Sequence, residues 1–137
     1  DCLLSRGLGD VYKRQMVTTA LQAAEAAEDE GISLEVIDLR SLSPVDYDTV
    51  ATSVRKTGRV VVAHEASREA GMAAEVIASV TERCFEYLES APLRVTGHDV
   101  PYPPAKLEKY HLPDLDRLLD AVDRVLDRPN SLTGADA

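Results

Sequence analysis

Apolar positions in this chain switch between two spacings, and the switches mark its elements. Leu34, Val36, Ile37 and Leu39 form a short run with β-branched members, as in a parallel strand covered on both faces. Asp38 and Arg40 set opposite charges at its carboxyl end, the edge where ligands and partner domains sit in open α/β sheets. Ser43-Pro44 stops the strand, and Asp46 is placed to cap the next helix. Tyr47, Val50, Ala51 and Val54 follow helical spacing and predict a helix over 46–57, ended by Gly58.

The alternation continues on both sides. Val17, Ala20, Leu21, Ala24 and Ala27 fall on one helical face, with Gly31 as its stop. Val60 to Ala63 predicts a second buried strand. Ala73, Val76, Ile77, Val80, Cys84 and Leu88 mark a long helix, and 92–96 a short third strand. Pro101-Tyr102-Pro103-Pro104 excludes helix and interior strand, because proline lacks the backbone donor. Leu115, Leu118, Leu119, Val122, Val125 and Leu126 predict a last amphipathic helix opened by Pro113-Asp114. Strands alternating with helices imply a parallel sheet covered on both sides, a three-layer α/β/α domain over 16–128. Three strands make a poor sheet, and a covered sheet that opens on a helix implies that at least one strand is missing ahead of Met16. Residues 129–137 are polar and small and are expected to be disordered.

Residues 1–15 show no usable periodicity. Asp10-Val11-Tyr12-Lys13-Arg14-Gln15 resembles an in-frame translation of a transposon-end sequencing adapter. The native sequence is therefore expected to begin at Met16. Arg6, Lys13 and Arg14 against Asp1 and Asp10 give this segment +1, so of the chain's −9 the remainder carries −10. That charge argues against nucleic acid, which needs basic clusters, and suits a basic protein partner. Hydrophobic residues make up 45% but aromatics only 4%, so the core is built from Ala, Val, Leu and Ile. Cys2 and Cys84 define neither a metal spacing nor a disulfide framework. No apolar run approaches a membrane span. These features suggest a reduced, cytoplasmic protein.

The run Ile37 to Asp46 resembles the C-terminal domain of the transketolase-like family, most closely the beta subunit of the thiamine-dependent component of 2-oxo acid dehydrogenase complexes, branched-chain or pyruvate type. The same order continues through Lys56 to Val62, His64-Glu65-Ala66, Gly71 to Val76, and Glu82-Arg83-Cys84-Phe85 with Leu88-Glu89 and Ala91-Pro92. It closes with Arg94 to Gly97, Asp99 to Pro103, Leu107 to Tyr110 and Leu112-Pro113-Asp114. The resemblance implies a mixed five-stranded sheet whose first two strands, one central and one antiparallel at an edge, are missing here. It implies that thiamine diphosphate and magnesium serve the intact enzyme from outside this domain, leaving no catalytic, cofactor-binding or metal-binding residue in the chain. The implied partners are the alpha subunit, a second beta subunit, and the basic subunit-binding domain of the acyltransferase core. Activity in oxidative decarboxylation is expected only within the intact heterotetramer.

Asp38, Arg40, Glu89 and Asp99 are the candidate partner-binding residues, with Glu89 and Asp99 expected to dock the subunit-binding domain of the acyltransferase core. A guanidinium fork recognises carboxylate bidentately, although a local ion pair would account for Asp38 and Arg40 equally. His64 beside Glu65 has the position of a general base, but a structural histidine explains it better. Glu65, Glu69 and Glu75 lack His or Cys company and read as a solvated face. Cys84 lies on an apolar helical stripe as an inert thiol. His98-Asp99 reads as a turn after Gly97, and His111 has no functional case. The C-terminal domain of a transketolase or deoxyxylulose phosphate synthase is a second reading, which the motifs between Glu82 and Pro104 disfavour. A flavodoxin-like binding module is a third. It needs an acidic cluster or glycine-rich loop after the first strand.

Overall fold

A computed structural model describes residues 2–5 and 15–126. Four strands, β1 (Cys2–Ser5), β2 (Glu35–Asp38), β3 (Val60–Ser67) and β4 (Leu93–Gly97), form one sheet in the order β2-β1-β3-β4. All its pairings are parallel. The helices are α1 (Gln15–Asp29), α2 (Tyr47–Thr57), α3 (Met72–Cys84), a single turn α4 (Glu108–His111) and α5 (Leu115–Val125).

Strand β3 shows how the layers arise. Successive side chains of a strand point to opposite faces. Val60 and Val62 pack with Val50, Val54, Ala73, Val76 and Val80 of α2 and α3. Val61 and Ala63 pack on the other face with Met16, Ala20, Ala23, Leu118 and Val125 of α1 and α5. A strand buried on both faces needs apolar residues at every position, and the run Val-Val-Val-Ala provides them. Each fully buried Val or Leu contributes about 1.5–3 kcal/mol. The three-layer α/β/α architecture is thus the one expected.

One expectation is corrected. The central position of the sheet is filled: β1 pairs with β2 and β3 at once, Leu3 standing opposite both Val36 and Val61. A four-residue interior parallel strand carries no alternation to betray it, and its place is set by the edges of its two neighbours. The central strand is therefore not missing, and α1 begins at Gln15, inside the adapter-like segment. Among the described residues the sheet has no antiparallel strand. Residues 6–14, which hold most of the adapter-like segment, lie outside the described residues. So does the 129–137 tail.

The helix ends follow local chemistry. The Thr49 backbone N–H donates to Asp46 Oδ1 at 3.0 Å and its hydroxyl to Oδ2 at 2.7 Å, so Asp46 is the N-cap of α2. Gly58 ends that helix at φ 70°, its N–H reaching the Val54 carbonyl. The two Thr49 bonds, side chain first, hold the Asp46 carboxyl below its usual value of 3.8. Because the folded value is the lower one, the cap's contribution is fully present above pH 3.8 and is lost as pH falls through the depressed folded value. Asp46→Ala is expected to destabilise the chain at neutral pH, and the gap to the parent should close in acid. Asp46→Asn, which caps without charge, should keep most of the stability at neutral pH. Urea unfolding across pH 2–7 checks both.

Candidate functional site

The carboxyl ends of parallel strands form one edge of the sheet, and most chemistry-bearing side chains gather there. His64 and Glu65 lie in β3, which runs on to Ser67, past the predicted end at Ala63. A register shift between Ala63 and Ser67 interrupts the pairing with β4. Thr96 and Gly97 end β4, and His98 follows it. The proline-rich segment from His98 to Leu107 then crosses the edge, and α4 follows it.

His111 on α4 is buried, and a Cβ on Gly97 would come within 2.5 Å of its Nε2. Its ring meets Tyr102 edge-on at 5.0 Å and His98 at 6.2 Å. The Tyr102 hydroxyl donates a short hydrogen bond to Glu108 Oε1. Desolvation, then the Glu108 hydrogen bond and charge, then the Glu65 charge, push the phenol up to about 12. Tyr102 is therefore a proton donor clamped to a carboxylate at neutral pH, and has no capacity to act as a base there. Arg117 on α5 donates from Nη2 to the Thr96 carbonyl at 2.7 Å. These contacts fasten the proline-rich segment and α5 to the sheet edge. They are holding contacts and assemble no nucleophile–base pair.

His64 is also buried, on the face of α2 and α3. Its Nε2 would lie 2.7 Å from a Cβ on Gly71, at the start of α3. That close approach supports the structural reading of this histidine. Cys84 is buried, with Sγ 3.6 Å from the Ala51 carbonyl. Among the described residues no group of three or more His, Cys, Asp and Glu side chains has metal-holding geometry.

The four sequence-predicted partner residues are not brought together. Asp38 and Arg40 lie at the carboxyl end of β2, their charged atoms 3.6 Å apart. Arg40 is 82% exposed and Asp38 22%, so the pair is local with one arm free in solvent. They line a cleft of about 250 Å³ with Ser41, Pro44, Asp46 and Thr49. Asp99 accepts the Glu69 N–H at 2.9 Å and so ties the exit of β4 to the turn before α3. Glu89 sits at the opposite, amino edge. Its carboxylate is 2.6 Å from Arg59 Nη1 and its N–H donates to the Gly58 carbonyl. Beside it a 3-10 turn, Phe85–Tyr87, breaks the predicted long helix and leaves Phe85 73% and Tyr87 51% exposed. Arg55 lies over the Tyr87 ring. An exposed aromatic pair beside an acidic side chain has the composition of a recognition patch.

Sequence reasoning missed the holding contacts of Tyr102, Glu108, His111 and Arg117. The only signal was Tyr102 within the proline-rich segment and Tyr110 beyond it. It also missed the Phe85–Tyr87 patch, because helical periodicity placed Leu88 on the same continuous helix.

Residues 15–118 match the family described as transketolase, C-terminal domain. The chain is 58% identical over 111 residues to the pyruvate dehydrogenase E1 component subunit beta of Leifsonia xyli, covering 81% of this chain and 33% of that protein. It is 54% identical over 115 residues to the 3-methyl-2-oxobutanoate dehydrogenase subunit beta of Mycobacterium tuberculosis, covering 83% and 33%. It is 48% identical over 110 residues to the 2-oxoisovalerate dehydrogenase subunit beta of Pseudomonas aeruginosa, covering 80% and 31%. The chain thus spans about a third of the length of the curated relatives it matches.

Proposed function

Because the chain belongs to the transketolase C-terminal-domain family, we propose that it serves as the C-terminal assembly domain of a 2-oxo acid dehydrogenase beta subunit. The observation that carries this reading is identity of 54–58% over four-fifths of the chain to beta subunits named for pyruvate and for 3-methyl-2-oxobutanoate. Identity at that level favours it over a transketolase or deoxyxylulose phosphate synthase domain, and over a flavodoxin-like module.

The reading assigns the domain a part in oxidative decarboxylation of pyruvate or a branched-chain 2-oxo acid, within a cytoplasmic complex. Thiamine diphosphate would supply the electron sink for that reaction. The described residues do not fit that cofactor with its magnesium. They present no metal-holding group. No step of the decarboxylation is assigned to this chain.

Its work is assembly. Asp38, Arg40 and Asp99 at the carboxyl edge face the alpha subunit and the second beta subunit. Glu89, with Phe85 and Tyr87, receives the basic subunit-binding domain of the acyltransferase core. The net charge of −9 suits that partner. No helix among the described residues is long and apolar enough to cross a membrane.

Catalytic silence tests the first half of this reading. The 137-residue chain, given thiamine diphosphate, magnesium and either pyruvate or 3-methyl-2-oxobutanoate, should release no carbon dioxide above the protein-free blank. Turnover of either acid would overturn the assignment of a purely assembling role.

A further inference from the structure

The outer edge of β4 carries a feature that assembly does not use. Arg68 from the turn after β3, Arg94 from β4 and Arg124 from α5 line one cleft of about 370 Å³. Its apolar wall includes Ile77 and Leu93. Ala74 and Ala78, one helical turn apart on α3, also line it, and their small side chains leave room between helix and strand. Register places Arg94 opposite Val62, so it stands on the α3 side. Arg94 is half-buried, and its Nη1 donates to the Arg68 carbonyl at 3.2 Å.

Three guanidinium groups around one cleft are unusual in a chain with 24 acidic and 15 basic residues. Arg40, Arg59 and Arg83 each have a carboxylate within 3.6 Å. Arg124 has Asp120 at 3.9 Å, on its own helix. Neither Arg68 nor Arg94 has an ion pair among the described residues. Like charges held around one cleft repel, and an anion between them relieves that repulsion. The planar guanidinium fork matches phosphate oxygens in pairs. The volume lies in the range of small-molecule sites.

We infer that the cleft bounded by Arg68, Arg94 and Arg124 at the β4 edge binds a phosphorylated small molecule with an apolar body, of nucleotide size. The charged groups take the phosphates and the Ile77–Leu93 wall takes the body. The inference stands apart from the assembly role, since it uses none of Asp38, Arg40, Glu89 and Asp99. The competing account is that the arginines only keep the open strand edge from pairing with another chain.

Calorimetric titration of the 137-residue chain with ATP, and separately with inorganic pyrophosphate, tests it. ATP should bind saturably at one site. Arg94→Gln should weaken it about tenfold, as loss of a charge-assisted hydrogen bond does, and Arg68→Gln and Arg124→Gln should weaken it too. Lys106→Gln, which removes an exposed charge outside the cleft, should leave binding unchanged. Pyrophosphate should bind more weakly than ATP. Equal binding of the two would overturn the part assigned to the apolar wall. Absence of saturable ATP binding to the folded parent chain would overturn the site. Binding that survives all three cleft substitutions would overturn it as well. If those variants bind nothing and self-associate, in the absence of parent binding, the arginines guard the edge only. Circular dichroism and thermal melting confirm that each variant remains folded.

Discussion

Alanine at position 97 is expected to lower the stability of this domain by about 2–3 kcal/mol, in the upper range for overpacking a filled site. A Cβ there would lie 2.5 Å from the Glu65 carbonyl oxygen and 2.5 Å from His111 Nε2. Separations that short must be relieved by movement. The histidine ring can tilt only by disturbing its contacts with Tyr102 and His98. The Glu65 carbonyl belongs to β3, and its movement strains the sheet itself. For a domain of this size the melting temperature should fall by roughly 10 °C. His111→Ala separates the two causes. If the ring were the main obstacle, the double variant would regain the stability of His111→Ala alone. Because the carbonyl clashes equally, the double variant should remain clearly less stable than that single variant. A melting temperature for Gly97→Ala within a degree or two of the parent would contradict the close approach of β4 to β3 at this point.

The fold was legible in the sequence wherever burial has a period. The 3.6-residue spacing of Val50, Ala51 and Val54 found α2, and Asp46 and Gly58 marked its ends by their own chemistry. Asp114 likewise caps α5 through the Arg117 N–H. What escaped was set by partners distant in the chain. Residues Cys2–Ser5 become a strand because β2 and β3 leave a slot for one, a fact that no local pattern contains. Strand β3 runs on to Ser67, where pairing with β4 resumes at Gly97 beyond an irregularity, although the apolar run has ended. Chain order likewise made Glu89 and Asp99 look like neighbours. Strand β4 separates them by its full length, Glu89 before it and Asp99 after, so the four candidate residues form two surfaces. The candidates at the carboxyl edge were legible as charges. The clamp of Tyr102 on Glu108 was not, since it depends on the path of the segment between His98 and Leu107.

Charge reversal at Glu89 should weaken docking of the acyltransferase subunit-binding domain by about tenfold or more. The patch supplies both parts of a docking site: exposed Phe85 and Tyr87 for apolar contact, and an acidic group for a basic partner. Glu89 is 59% exposed even while paired with Arg59, so its outer face remains open to a second cation. Lysine there would repel both Arg59 and the partner. Glu89→Gln removes the charge without reversing it and should give an intermediate loss. Glu28→Lys, an equal change in net charge on exposed α1 surface, separates a local contact from overall attraction. Rising salt should weaken the parent complex and narrow the gap to Glu89→Lys, because screening acts on exposed charges.

The measurement that bears most directly on the assembly role is therefore a calorimetric titration of the 137-residue chain with that isolated subunit-binding domain. The parent and Glu28→Lys should bind it saturably with one-to-one stoichiometry, and Glu89→Lys should bind at least about tenfold more weakly. Failure of the folded parent chain to bind, or binding by Glu89→Lys as tight as the parent's, would contradict the account.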